Sequence, residues 1–309
     1  MLKKGRAHLF ERPNVVYRFI YEHRHEFRIE KMCDVLEVSR SGYYKWCHHE
    51  PSEQELERVA IKQEIYYSFH YHNGRYGSPR IKELLHRQGY NVCLSTVTKY
   101  MREMGLNANT KFSFTKTTDS NHENPIYPNR VQQDFQVDAP NKVWVADITY
   151  IPTLEGFLYL ATIIDLYSRK VVGLNIDDQM TVELPLKALK QATVSRQPAP
   201  GFVHHSDRGS QYASKRYTGQ LDSMGAEISM SRKGNCYDNA VAESFHSTLK
   251  KDKIYCRDEL YQTKAEAKQD IVQYIIQYYN NERIHSTLDY LSPNEFEQNF
   301  MSEKSMSAV

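Results

Sequence analysis

The chain has 309 residues, enough for two or three domains with cores of their own. Its 40% hydrophobic and 25% charged composition excludes a disordered or fibrous protein. The formal net charge of +2 conceals a division. Residues 1–130 hold 21 Lys+Arg against 15 Asp+Glu, and residues 131–309 hold 19 against 23. A basic front end on a mildly acidic body suits a DNA-binding arm attached to a metal-binding catalytic domain.

Five cysteines (Cys33, Cys47, Cys93, Cys236, Cys256) are odd in number and make no CxxC pair, so neither a zinc ribbon nor a disulfide framework is supported. The longest apolar-rich run, 157–164, is far shorter than the roughly 20 residues that cross a bilayer. No N-terminal stretch has the layout of a signal peptide, and a soluble cytoplasmic protein is expected.

In chain order, residues 13–47 predict helix, helix, turn, helix. Val15, Val16, Phe19 and Ile20 recur at helical spacing, as do Ile29, Met32, Cys33 and Leu36. Ser39 is placed to cap the last helix, which carries Tyr43, Tyr44 and Trp46. This forms a helix-turn-helix-like unit over 1–50. A helix over 53–70 opens a second helical DNA-binding unit, 51–106. There Pro79 starts one helix, Gly89 ends it and Ser95 caps the next, with Val97, Tyr100, Met101 and Met104 as its apolar face. Arg80 and Lys99 are its expected phosphate contacts. Residues 107–134, rich in Asn, Thr, Ser and Lys, read as a linker.

Beyond the linker, strands are expected over 144–152, 157–165 and 170–176, a helix over 181–195, a strand over 201–205, a helix over 214–224 and a strand over 226–230. Helices over 239–253 and 264–280 follow. Three antiparallel strands and then βα units are the order of a ribonuclease-H-like fold, so the α/β core is assigned to 135–300 and a disordered tail to 301–309.

Three acidic residues stand out within that core. Asp147 lies mid-strand on the face of Val143, Val145 and Thr149, where a carboxylate is costly to bury unless something such as a cation pairs with it. Asp207 follows a strand directly, where α/β domains open their ligand crevice, and Gly209 and Ser210 let the chain turn. Glu243, separated from Asp207 by 35 residues, shares one helix face with Asn239, His246 and Lys250. Phosphodiester chemistry needs hard oxygen ligands that hold divalent cations, and three gathered carboxylates supply them. His204 and His205 are expected behind the site or facing DNA. In the loop 231–238, Arg232, Lys233 and Gly234 are expected to grip DNA, and Arg283 and His285 to dock the C-terminal tail.

The runs HHSDRGSQY, SMSRKGNCYDNAVAESFHSTLK and YYNNERIHSTLDYLSPNEFE together resemble the integrase-type core of bacterial insertion-sequence transposases. The likeness is to the second-reading-frame product (OrfB) of the insertion-sequence-three family, over about residues 13–300. It implies a DDE triad of Asp147, Asp207 and Glu243 as catalytic and metal-ligating residues, with two Mg²⁺ (or Mn²⁺) ions. Lys250, His246, Arg232 and Lys233 would then lie on the DNA side. It also implies nicking and joining of DNA at terminal inverted repeats and in target DNA, by a homo-oligomer beside the nucleoid. In this family the full enzyme is a fusion with an upstream frame, so the upstream product (OrfA) is an expected partner. The rival expectations are a ribonuclease-H-like nuclease that does not join ends, and a catalytically inactive DNA-binding regulator.

Overall fold

A computed structural model describes residues 13–108, 124–233 and 235–306. The chain divides between Glu64 and Ile65 into two compact units. In the first, α1 (Pro13–Glu22), α2 (Ile29–Leu36) and α3 (Arg40–Cys47) enclose a small core of Val16, Ile20, Met32, Cys33 and Tyr43. Ser39 caps α3, its Oγ accepting from the Gly42 N–H at 3.3 Å. Helix α4 (Glu53–Tyr71) runs across the division.

In the second unit, α5 (Ser78–Arg87) and α6 (Leu94–Glu103) pack through Ile81, Leu85, Val97 and Met101. Helix α6 begins one residue before the expected cap, so Cys93 takes the N-cap position and Ser95 lies inside the first turn. A five-stranded sheet follows, formed by β1 (Val143–Thr153), β2 (Gly156–Asp165), β3 (Val171–Asp177), β4 (Val203–Ser206) and β5 (Glu227–Met230). Its order is β3-β2-β1-β4-β5, with β1, β2 and β3 antiparallel and β4 and β5 parallel to β1. This is the ribonuclease-H-like α/β arrangement expected from the element order.

Strand alternation divides the core into two layers. Val145, Ile151, Leu158, Leu160 and Ile164 face α9 (Ala240–Lys253) and α10 (Lys264–Gln273). Trp144, Ala146, Ala161 and Ile163 face α7 (Glu183–Arg196) and α8 (Lys215–Ser223). Sheet and helix approach closely at Gly173 of β3, where a Cβ would meet the Ala188 carbonyl and come within 2.8 Å of Ala192 Cβ.

Three expectations are corrected. The helix over 264–280 is α-helical only to Gln273 and continues as a π-helical turn, Tyr274–Tyr279. That wider turn puts Tyr274 and Tyr279, five residues apart, into the core together. Residues 124–134 of the expected linker lie against β5, anchored by buried Val131 and by the Arg130 N–H donating to Ser229 Oγ; residues 109–123 fall outside the described residues. Finally, α11 (Pro293–Met306) covers most of the expected disordered tail. Residues 307–309 lie outside the described residues.

Candidate active site

The sheet register brings the two aspartates to one edge. Ala146 of β1 pairs in parallel with Ser206 of β4, so Asp147 and Asp207 are the next residues on adjacent strands. Strand β4 ends there, and the Gly209 N–H donates to Asp207 Oδ1 at 2.9 Å, curling the chain back over the carboxylate. A Cβ at Gly209 would stand 3.0 Å from that same oxygen, so a side chain there would have to push the Asp207 carboxylate aside. Glu243 arrives from the other direction, in the first turn of α9, where the helix dipole favours negative charge.

Asp147 is held on both oxygens and is 18% exposed. The Ile148 N–H donates to Oδ1 at 2.8 Å, and His246 Nδ1 stands 3.2 Å from Oδ2. A carboxylate can only accept, so Nδ1 carries the proton. In the neutral imidazole, Nε2 then accepts from Thr162 Oγ1 at 2.9 Å. Thr162 is fully buried and is the cross-strand partner of Asp147. Asn239, at the N-cap of α9, donates from Nδ2 to the Ala146 carbonyl at 3.2 Å, tying the helix to the strand beside Asp147.

The three acids lie near enough for their charges to act on one another. Although the Glu243 side chain keeps contact with solvent, partial loss of hydration raises its pKa, and the charges of Asp147 and Asp207 raise it further. Lys250 Nζ lies 4.1 Å from the centroid of the Tyr150 ring. Burial lowers its pKa while Asp147 pulls it back up. The Tyr212 hydroxyl is buried with no hydrogen-bond partner among the described residues, and burial first, then Tyr217 and the two aspartates, keep it protonated.

Oxygen-only ligands suit a hard divalent cation, and the mutual repulsion around Glu243 is what such a cation relieves. Among the described residues no group of three acidic, His or Cys side chains is placed to hold a metal ion by itself; Mg²⁺ commonly binds through one or two carboxylates and completes its shell with substrate phosphate and water. The residues present therefore fit the cation by donor chemistry.

Several DNA-side expectations change. His246 is buried beneath Asp147, not directed at DNA, because the helix face it shares with Glu243 packs on β1 and β2. His204 and His205 are buried in the sheet, bonded to Tyr217 and to Ser229 and Ser231 respectively. Arg80 Nε donates to the Ile284 carbonyl at 3.1 Å, so Arg80 docks the C-terminal segment. Arg232 is exposed, but its Nε and Nη2 are bound by buried Asp238 at 3.0 and 2.9 Å. This clasp shapes the loop before α9 and holds the Asp238 pKa well below the carboxylate range. Lys233 is exposed on that loop, whereas Gly234 lies outside the described residues. Lys99 is exposed on α6, 4.0 Å from Glu103. Thr162 and Tyr212 escaped the sequence reading. A lone threonine in the apolar run FLYLATIID was the available signal for the first.

Comparison with known proteins adds three family matches. Residues 137–236 and 224–293 match families described as Integrase core domain, and 55–112 match an HTH-like domain. The transposase for insertion sequence element IS904 of Lactococcus lactis is 46% identical, over 81% of this chain and 98% of its own length. Transposase InsF for insertion sequence IS3A of Escherichia coli is 39% identical, over 91% and 98%. A chain of the simian T-cell lymphotropic virus intasome is similar at a TM-score of 0.44 and 14% identity, over 72% of this chain and 74% of its own; the family assignment rests on the sequence relatives alone.

Proposed function

Because the chain belongs to the insertion-sequence-three family of transposases, we propose that its site nicks the 3′ ends of the element and then joins them to another phosphodiester. The carrying observation is the convergence of Asp147 and Asp207 from paired strands on a Glu243 whose charge both of them oppose. No helix among the described residues is long and apolar enough to cross a membrane.

Asp147, Asp207 and Glu243 would hold two divalent cations, Mg²⁺ or Mn²⁺, which when bound supply activation of the attacking oxygen and stabilisation of the leaving one. The chain's own residues prepare the geometry. His246 and Thr162 fix the rotamer of Asp147, Gly209 fixes that of Asp207, and Asn239 sets the start of α9. Lys250 faces the phosphate from the same helix as Glu243, its cation resting on Tyr150. Lys233 and Lys99 contact the DNA backbone. The substrates are the terminal inverted repeats and target DNA, handled by a homo-oligomer, with the upstream-frame product as partner, in the bacterial cytoplasm at the nucleoid.

The test is a Mg²⁺-dependent strand-transfer assay with a precut element end and a supercoiled target. Wild type is expected to join the end. Asp147→Asn, Asp207→Asn and Glu243→Gln are each expected to abolish nicking and joining while DNA binding persists. Nicked target without joined product from wild type would replace this reading with a nuclease, and joining by any one variant would remove that residue from the triad.

A further inference from the structure

A second concentration of charge lies away from the three acids, at the far end of the same helix. Asp252 of α9 is 5% exposed and accepts from the Tyr274 hydroxyl at 2.7 Å. Two guanidinium groups approach that same oxygen, with Arg75 Nε at 4.0 Å and Arg283 Nε at 3.8 Å. Both Nε atoms are buried and have no hydrogen-bond partner among the described residues. Arg75 also lies over the Tyr278 ring at 4.5 Å and the Tyr274 ring at 5.4 Å.

Each of these three charges comes from a different part of the chain. Arg75 belongs to the turn between α4 and α5, Arg283 to the segment after the π-helical turn, and Asp252 to the helix that carries Glu243. Neighbouring contacts follow the same line. Tyr76 Oη accepts from the Ile284 N–H at 3.0 Å, Arg80 donates to the Ile284 carbonyl, and Arg87 Nη2 donates to the Tyr290 carbonyl at 2.6 Å. Helix α5 is thus bolted to the C-terminal segment, and among the described residues Asp252 carries the connection on to α9 as a charge. Removing one partner of such a group leaves the others buried and uncompensated, so the three segments are strongly constrained to one arrangement.

We propose that Asp252 is a positioning residue that fixes the α5–α6 pair relative to Glu243, so that cleavage falls at one phosphodiester. The proposal rests on the transposase reaction and on α5–α6 contacting the element end through Lys99 and Arg102 of α6. A sub-ångström shift in this connection would leave the acids intact yet move them along the DNA. The consequence is a loss of cleavage precision and not of chemistry.

The test uses the full chain, Mg²⁺ and an end-labelled duplex carrying the terminal inverted repeat, with nick positions mapped at nucleotide resolution. Asp252→Asn and Arg75→Gln should each spread nicks to neighbouring phosphodiesters. The share at the wild-type position should fall several-fold, with end affinity unchanged. Should Asp252→Asn fail to fold, as judged by a thermal melt, Arg75→Gln alone carries the test. Nicks that stay at the wild-type position, merely slower, would overturn the proposal and leave Asp252 a structural residue. A Lys99→Ala, Arg102→Ala variant checks the underlying reading. It should weaken end binding and flatten its salt dependence. Unchanged binding there would show that α5–α6 is not the reader, and the proposal would fall with that reading.

Discussion

At the level of single residues, the three acids proposed for the site stand out in the sequence because each breaks a local pattern. One interrupts an apolar strand, one follows a strand at a glycine turn, and one starts a helix. What surrounds them was not legible. Helical spacing correctly grouped Glu243, His246 and Lys250, but it could not say that the sheet lies under half of that face and buries His246 against Thr162. Arg80 was misread for the same reason, since a basic residue on an amphipathic helix looks alike whether it faces phosphate or a carbonyl. His246→Gln is expected to slow nicking by roughly 10–100-fold and to raise the Mg²⁺ concentration needed for half-maximal rate, the usual range for residues that orient a metal ligand. A rate series over Mg²⁺ checks this, and an unchanged metal requirement would contradict it. The raised Glu243 pKa gives a second expectation. Protons compete with the cation there, so Ca²⁺ affinity measured by calorimetry should rise with pH through the titration of Glu243, with proton release on binding. Asp147→Asn, by removing a repelling charge, should shift that titration to lower pH.

At the level of elements, period-two and period-3.6 patterns located the strands and most helices to within a few residues. They failed where tertiary packing sets the outcome. The π-helical turn exists because Tyr274 and Tyr279 both belong to the core, and the extension of α11 to Met306 was masked by a polar composition. Gly173 is another feature whose meaning only packing supplies. It is the position where β3 lies against the backbone of α7. Gly173→Ala is expected to destabilise the fold by about 1–3 kcal/mol, the usual range for overpacking a close contact. Urea unfolding would show it as a lower midpoint with an unchanged slope. An unchanged midpoint would mean that α7 can move away freely.

At the level of the whole molecule, buried histidines predict its acid limit. Burial lowers the pKa of His72 and of His205 from 6.5 to about 4, and that of His204 to about 3. Below pH 6.5 the unfolded chain binds protons on these imidazoles that the folded chain refuses. Stability should therefore rise with pH from about 4 to 6.5 and flatten above it, as far as these groups are concerned. His72→Gln should lessen that slope in urea midpoints measured across the window, and an identical slope would argue that His72 is protonated in the fold. The pairing of Ala146 with Ser206 has a further consequence, for engineering. The gap between Asp147 and Asp207 is set by two neighbouring strands and not by the chain that joins them. Extra residues grafted into the exposed β1–β2 turn at Glu155 and Gly156 lengthen that chain without moving either acid. A one-residue slip of β4 would turn Asp207 to the opposite side of the sheet. The enzyme should accept a fused tag at that turn, and lose its chemistry to a single deletion in VHHS.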